Sequence, residues 1–497
     1  MSVGVVRGLG CVTAVLALAV LTSAFSLDLQ IANAWSDYHY GPVDRRMMQI
    51  NLPARHGAAM LFLSNRDDRL VGLEDHVANW HFDDIGYLLF AQLFVLGYGV
   101  LSAMDLAWWH NAAFVLAAVG LATVVGIGRR SVGLGVLVMA LLLALHYRLR
   151  PHIYSSVSQH TLITVLALAM VAAIALLALA LASRRSAVAL AVATAVGVIT
   201  GATDLVRHPV GLASMVAVAT TIVLARRHSR KLLQPLVAAA VGYVMISVGL
   251  PAASAIHRDL ELGWYRGLSS AYITPPPGHR PYFTLLAAIG RYPNSLGLKY
   301  HDGMVDQFLI RRHGGRDYEI VFDRLARQEV LAFVRTRPLE YLWTIVRGAG
   351  ELPLVIPAVT FNRERIWPGT PRIPPGVDSA VDPHDHQTAE PSRLHNLRLR
   401  YLRLAWFEWA VYLAAVAAVG GGVVVGACRT AATPEVPVAF LGALTFTAVL
   451  AVPRALIPVH GHDFVTAFWA TAMLGLVELI DAVRGRLTRR DHTCTSR

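Results

Sequence analysis

Charge is scarce in this chain, lysine nearly absent and cysteine rare, and each shortage excludes a class of protein. Only 15% of the 497 residues are charged, against roughly a quarter in an average soluble domain. With 55% hydrophobic residues and a mean hydropathy of +0.50, the chain is neither an ordinary soluble enzyme nor a disordered one. The net charge of +12 is an arginine excess, Lys231 and Lys299 being the only lysines. It sits in short clusters between apolar runs, so it reports membrane topology and genome base composition rather than nucleic-acid binding. The three cysteines, Cys11, Cys428 and Cys494, avoid the large hydrophilic segments and offer neither a disulfide framework nor a cysteine metal site. No glycine-rich phosphate loop and no repeat of solenoid or inverted-transporter type is present.

What is abundant is apolar sequence. Runs fall near residues 8–27, 85–104, 106–127, 131–146, 160–182, 187–203, 210–225, 232–252, 402–427, 436–457 and 464–481. Several hold about 16 to 23 residues without Asp, Glu, Lys or Arg, as a hydrocarbon core about 30 Å thick requires. The first run follows Arg7 and reads as a retained helix, with cleavage after Ala24 as the alternative.

Basic clusters stand at Arg129/Arg130, Arg184/Arg185, Arg226 to Lys231, Arg429 and Arg484 to Arg490. If all eleven runs span, Arg129/Arg130 and the next two clusters land outside, against the positive-inside rule. If 85–104 instead lies along the outer leaflet as an amphipathic helix, every cluster joins Arg7 in the cytoplasm. The expectation is therefore an all-α integral membrane protein with about ten spanning helices, interfacial helices and both termini inside. Residues 1–252 form the transmembrane core, 253–401 a large extracytoplasmic loop region, and 402–497 the last helices with a basic tail. Within the loop region, Phe322, Ala326, Val330 and Phe333 have helical spacing. Trp367 to Pro391 is Pro-rich and reads as a mobile loop.

The polar chemistry gathers on the outer side. Asp83-Asp84-Ile85-Gly86-Tyr87 opens the interfacial helix, and either acid shares a helical face with Tyr87. A carboxylate there is placed to deprotonate an acceptor hydroxyl; the plain alternative is a helix cap. His146 to Tyr154, Asp204 to His208 and Arg454 to Asp463 bring arginines, histidines and acids to the same face. Asn294, Tyr300 and Asp302 are hydrogen-bonding groups in a turn-rich block. His460 and His462 sit at a helix junction, suited to substrate contact, while His384 and His386 lie in the Pro-rich stretch and read as a solvated loop. Zinc needs three or four ligands in fixed geometry, so no metal site is assigned and a divalent ion is left open. The helix centres hold few ionisable groups, Glu478 being the clearest and near a helix end, which argues against ion-coupled transport through the midplane.

The order of first helix, outer loop, acidic motif with Tyr, interfacial helix and many spans resembles the GT-C superfamily of membrane glycosyltransferases. His146-Tyr-Arg-Leu-Arg-Pro-His152, Thr203-Asp-Leu-Val-Arg207-His-Pro209 and Arg335-Thr-Arg-Pro338-Leu-Glu-Tyr341 resemble its outer-loop segments over residues 1 to about 350. Many members carry Asp-Glu where this chain has Asp83-Asp84. The resemblance implies transfer of a hexose or pentose from a polyprenyl-phosphate carrier to an extracytoplasmic glycan, lipid or protein, in the inner (plasma) membrane. It implies Asp84 or Asp83 as base and Arg207, Arg454, Arg148 and Arg150 as holders of the lipid phosphate. Tyr87, His208, Asn294, Tyr300, Asp302, His460 and His462 are then substrate contacts, and 367–391 a lid. The alternatives are a transporter of lipid-linked substrate and a non-catalytic partner in envelope-polymer assembly or export.

Overall fold

The computed structural model describes residues 103–153, 159–183, 186–226, 233–253, 281–298, 302–313, 318–361, 405–429, 435–456 and 462–494. Of the first hundred residues it describes 10, 12, 14–16, 18, 64–66, 69–71, 86, 87, 90, 95 and 99. The protein is an all-α membrane protein. Its described helices are α1 (Ala103–Gly128), α2 (Val132–Ile153), α3 (Gln159–Ala182), α4 (Ser186–Val206), α5 (His208–Arg226), α6 (Leu233–Ser247), α7 (Pro281–Ile289), α8 (Asp302–His313), α9 (Tyr318–Thr336), α10 (Pro338–Phe361), α11 (Trp406–Arg429), α12 (Glu435–Leu456) and α13 (His462–Cys494). One short antiparallel pair, β1 (Ser64–Arg66) and β2 (Arg69–Val71), joins Ser64 to Val71 and Arg66 to Arg69.

Among the described residues ten helices are long and apolar enough to cross a membrane. Nine coincide with the expected runs; the tenth, Pro338–Phe361, lies inside the region expected to be an outer loop. The expected first span falls mostly outside the described residues, although Val15 is buried in the main core. The segment expected along the membrane surface is helical at Gly86, Tyr87, Phe90 and Val95 and turns at Gly99. There φ is +84°, a left-handed value that suits glycine, and the Gly99 N–H donates to Val95 O at 2.8 Å. α1 begins four residues later, so the two runs are separate elements.

α3, an almost purely apolar sequence, is the hub and packs on α1, α2, α4, α5, α12 and α13. α12 and α13 run antiparallel: Arg454 meets Asp463, Thr447 meets Thr471, and Phe440 lies against Gly475. α11 runs parallel to α13, with Tyr412 beside Phe468 and Gly422 beside Gly475. α6 is held mainly by α4 through small residues: a methyl on Gly197 would overlap the Ala239 carbonyl, and one on Gly242 the Thr194 carbonyl.

The bundle therefore has two distinct ends. One collects Arg129, Glu478, Asp481, Arg130 after α1 and the basic late part of α13. Here Arg129 Nη1 donates to Asp481 Oδ2 at 2.9 Å and Nη2 to Glu478, which is fully buried. The Glu478 singled out in the sequence is thus a paired ion joining two helix ends. The other end collects the last turns of α2, the α4–α5 corner, and the Arg454 end of α12.

Two expected loops at the Arg454 end prove to be helix. α2 continues two turns past residue 146, because Leu145 and Leu149 at i,i+4 keep a buried stripe. The loop expected at 204–209 shrinks to Arg207, the lone non-helical residue between α4 and α5. The helix expected around Phe322 to Phe333 is α9, and it ends before Arg337, since Pro338 disfavours helix in the residue before it. α9 buries Ala326, Val330 and Phe333 against α7 and α8, forming a second, smaller core.

α10 enters the bundle from the Arg454 end. Gly348 lies on the Ala455 carbonyl, Tyr412 donates to Pro353 O at 3.0 Å, and Trp469 Nε1 donates to Thr360 Oγ1 at 2.8 Å. Phe361, its last residue, is edge-on to Trp469, which stands six residues after Asp463 in α13. On these contacts α10 penetrates part of the depth of the bundle.

Candidate functional site

Three polar groups share the Arg454 end. The first is the α4–α5 corner. Asp204, buried in the last turn of α4, accepts from Tyr243 Oη at 2.9 Å and lies 2.7 Å from His208 Nδ1. The carboxylate thus fixes the ring of His208, which is 43% exposed. Arg207 between them is buried, and its carbonyl accepts from Val210 N and Gly211 N, starting α5. Gly86 packs directly on this corner: a methyl there would overlap the backbone of Leu205 and Val206. Gly86 therefore packs one residue from Arg207.

The second group lies beneath. Tyr87 is fully buried with its ring centroid 6.0 Å from that of His110 on α1. Asn111 is buried beside it in sequence, and Phe114 stacks at 4.9 Å on the buried His146 of α2. These helix starts and ends carry polar side chains where apolar stripes run out, and the His110 Nε2 atom is buried without a hydrogen bond among the described residues.

The third group surrounds the end of α12. Arg454 and Asp463, both buried, form a two-point pair, Nε donating to Oδ1 at 3.0 Å and Nη2 to Oδ2. Next to it Arg291 donates to the carbonyls of Ala455 at 3.2 Å and Leu456 at 3.4 Å, and to Glu351 Oε2 at 2.5 Å. Tyr292 donates to the same carboxylate oxygen at 2.9 Å. Burial pushes the Tyr292 phenol up, against the pull of the Arg291 guanidinium, and the Glu351 carboxylate pushes it the same way. Tyr292 therefore stays protonated and keeps donating. The Arg347 guanidinium covers its ring at 4.6 Å.

The residues expected at the site divide as follows. Tyr87, Arg207, His208 and Arg454 meet at this end, as do Arg148 on the last turns of α2 and Arg150, described in backbone only. Asn294 directs its amide to its own turn, donating to Ile289 O, Tyr292 O and Leu298 O and accepting from Leu296 N and Leu298 N. Asp83, Asp84, Tyr300 and His460 lie outside the described residues, as does the stretch 367–391; Asp302 and His462 are described only as helix starts. Among the described residues no group of three His, Cys, Asp or Glu side chains is arranged to hold a metal ion.

Arg291, Tyr292, Tyr243, His110 and Glu351 were missed from sequence. Glu351 had a readable signal: a lone acid in the apolar stretch Gly348–Phe361 needs a cation partner when buried. No family model, no curated protein and no solved structure matches the chain. The functional reading therefore rests on the residues and their geometry.

Proposed function

We propose that the chain is a membrane glycosyltransferase that moves a sugar from a polyprenyl-phosphate carrier to an extracytoplasmic glycan, lipid or protein hydroxyl. The carrying observation is the contact of Gly86 with Leu205 and Val206. It sets Gly86, two residues after Asp84 in the chain, against the corner holding Arg207 and His208, although more than a hundred residues separate them. Two peptide units, at most about 7 Å, separate Asp84 from Gly86.

In this reading the Asp84 (or Asp83) carboxylate takes the acceptor's hydroxyl proton as that oxygen bonds the anomeric carbon. The bond from the anomeric carbon to the phosphate oxygen breaks, and polyprenyl phosphate leaves with the electron pair. Arg207, with Arg148 and Arg150 on the last turns of α2, neutralises the leaving phosphate. Arg454 serves differently from the sequence expectation: Asp463 already balances its charge, so it braces the end of α12. The Arg129 end is cytoplasmic because the basic clusters gather there, which makes the Arg454 end extracytoplasmic and both termini cytoplasmic in the plasma membrane.

The test is sugar transfer by purified protein given a polyprenyl-phosphate sugar. Asp83→Asn and Asp84→Asn, singly and together, are expected to lower kcat about 100- to 10,000-fold in at least one variant. Arg207→Gln is expected to reduce kcat/KM with the protein still folded. Full transfer by the double Asp variant would sink the assignment.

A further inference from the structure

Charge and apolar surface are unevenly spread over α7, α8, α9 and the first third of α10. α9 buries Ala326, Val330 and Phe333, and its 3.6-residue period turns Arg324, Leu331 and Arg335 to the opposite side, with Arg327 on the flank over the Tyr282 ring at 5.6 Å. All four are exposed. Among the described residues of 281–350 every exposed charged side chain is basic. Two carboxylates of this assembly are engaged internally: Glu329 by Arg312 and His313 at 3.0 and 2.8 Å, Glu340 by Ser295 at 2.6 and 2.8 Å. The α9 face thus presents exposed guanidinium groups to its surroundings.

Immediately after Arg337, α10 presents Leu339, Leu342, Trp343 and Val346 along one helical face. Leu339 is 79% and Trp343 61% exposed, a degree of apolar exposure that marks an interaction surface. The face runs on through exposed Ala349, Gly350 and Pro353 as α10 enters the bundle, so it is continuous with the bundle's outward apolar surface. At the same end, α11 opens with exposed Trp406 and Phe407. Aromatic rings gathered at one level of a membrane protein, flanked by arginines, match the boundary between lipid headgroups and acyl chains.

We propose that this face is a membrane-docking surface whose partner is the anionic phospholipid of the leaflet at the Arg454 end. The α10 stripe lies in the headgroup–acyl boundary. Arg324, Arg335 and Arg337 rest on lipid phosphates, which guanidinium groups bind through paired hydrogen bonds. Continuity with the lipid-facing bundle selects a leaflet over an acidic protein as the occupant. The surface pins the α7–α9 assembly to the membrane plane beside the polar end, and its existence does not depend on the sugar-transfer reading.

The experiment uses the full chain in nanodiscs of phosphatidylcholine, with or without phosphatidylglycerol, and compares it with Trp343→Phe. The emission difference between the two proteins isolates Trp343. It is expected to be mostly lost with lipids brominated near the top of the acyl chain and to survive iodide in the water. A second variant, R324Q/R335Q/R337Q, alters only exposed side chains. Native mass spectrometry is expected to show its retention of phosphatidylglycerol weakened about fivefold for each arginine removed, with phosphatidylcholine retention unchanged. Quenching of the Trp343 signal by iodide and not by brominated lipid would overturn the proposal. So would phosphatidylglycerol retention equal to wild type in the triple variant.

Discussion

At the scale of single residues, the Arg454 end separates side chains that hold the protein together from those open to chemistry. Arg454 and Asp463 are both buried and meet at two points. Removing one partner of such a pair leaves a buried charge uncompensated, at a cost of about 3–5 kcal/mol, whereas replacing both with apolar groups is often close to neutral. Asp463→Asn is therefore expected to lower the thermal midpoint steeply. The double variant R454M/D463L should recover most of the loss, measured as unfolding in detergent by intrinsic fluorescence. A midpoint for Asp463→Asn equal to wild type would show that water already reaches the pair. Both residues were legible in the sequence as polar groups at helix ends, and the rule against outer arginines singled out Arg454. Their mutual neutralisation was not legible, since it depends on a tertiary contact between two helix ends nine residues apart.

At the scale of elements, helix type and position were legible wherever a run lacked charge, and failed where a charge was paired out of sight. Nine of the ten long apolar helices match runs seen in the sequence. α10 escaped because Arg347, Glu351, Pro353 and Pro357 break its apolar pattern, and it takes the tertiary partners Arg291 and Tyr292, with Arg347 at 3.9 Å, to make the acid tolerable. The limits of α2 and α4 also escaped: the apolar runs end at 146 and 203, yet the packed stripes carry helix on to Ile153 and Val206. The joint between α4 and α6 offers a clean test of small-residue packing. A Cβ at Gly242 would overlap the Thr194 carbonyl, whereas one at Gly249 meets nothing nearer than the Val244 carbonyl at 4.0 Å. Gly249→Ala is expected to leave stability unchanged or raise it by up to about 1 kcal/mol. Gly242→Ala should lower it by about 1–3 kcal/mol as the helices separate. The same sign for both substitutions would mean that α6 is not seated on α4.

At the scale of the whole molecule, the two ends of the bundle carry opposite kinds of polarity, and the contacts determine which segments share an end. Arg129 is clasped by Glu478 and Asp481, so the turn after α1 and the late part of α13 lie together. Arg291 reaches the last carbonyls of α12, so the segment leading to α8 lies at the opposite end. α11 begins at that end too, because it runs parallel to α13 with Tyr412 level with Phe468. α10, starting from the same end, terminates beside Trp469. Reporters that register one side of the membrane can check all of this in living cells. A reporter after Arg130 is expected on the cytoplasmic side, because arginine-rich turns are retained there. Reporters after Asp302 and just before Trp406 are expected together on the other side. If the Trp406 reporter instead sides with Arg130, α10 traverses the full bilayer and α11 runs the other way. The parallel packing of α11 on α13 would then be wrong, and with it the common end of the bundle at which Gly86, Arg207 and Arg454 lie.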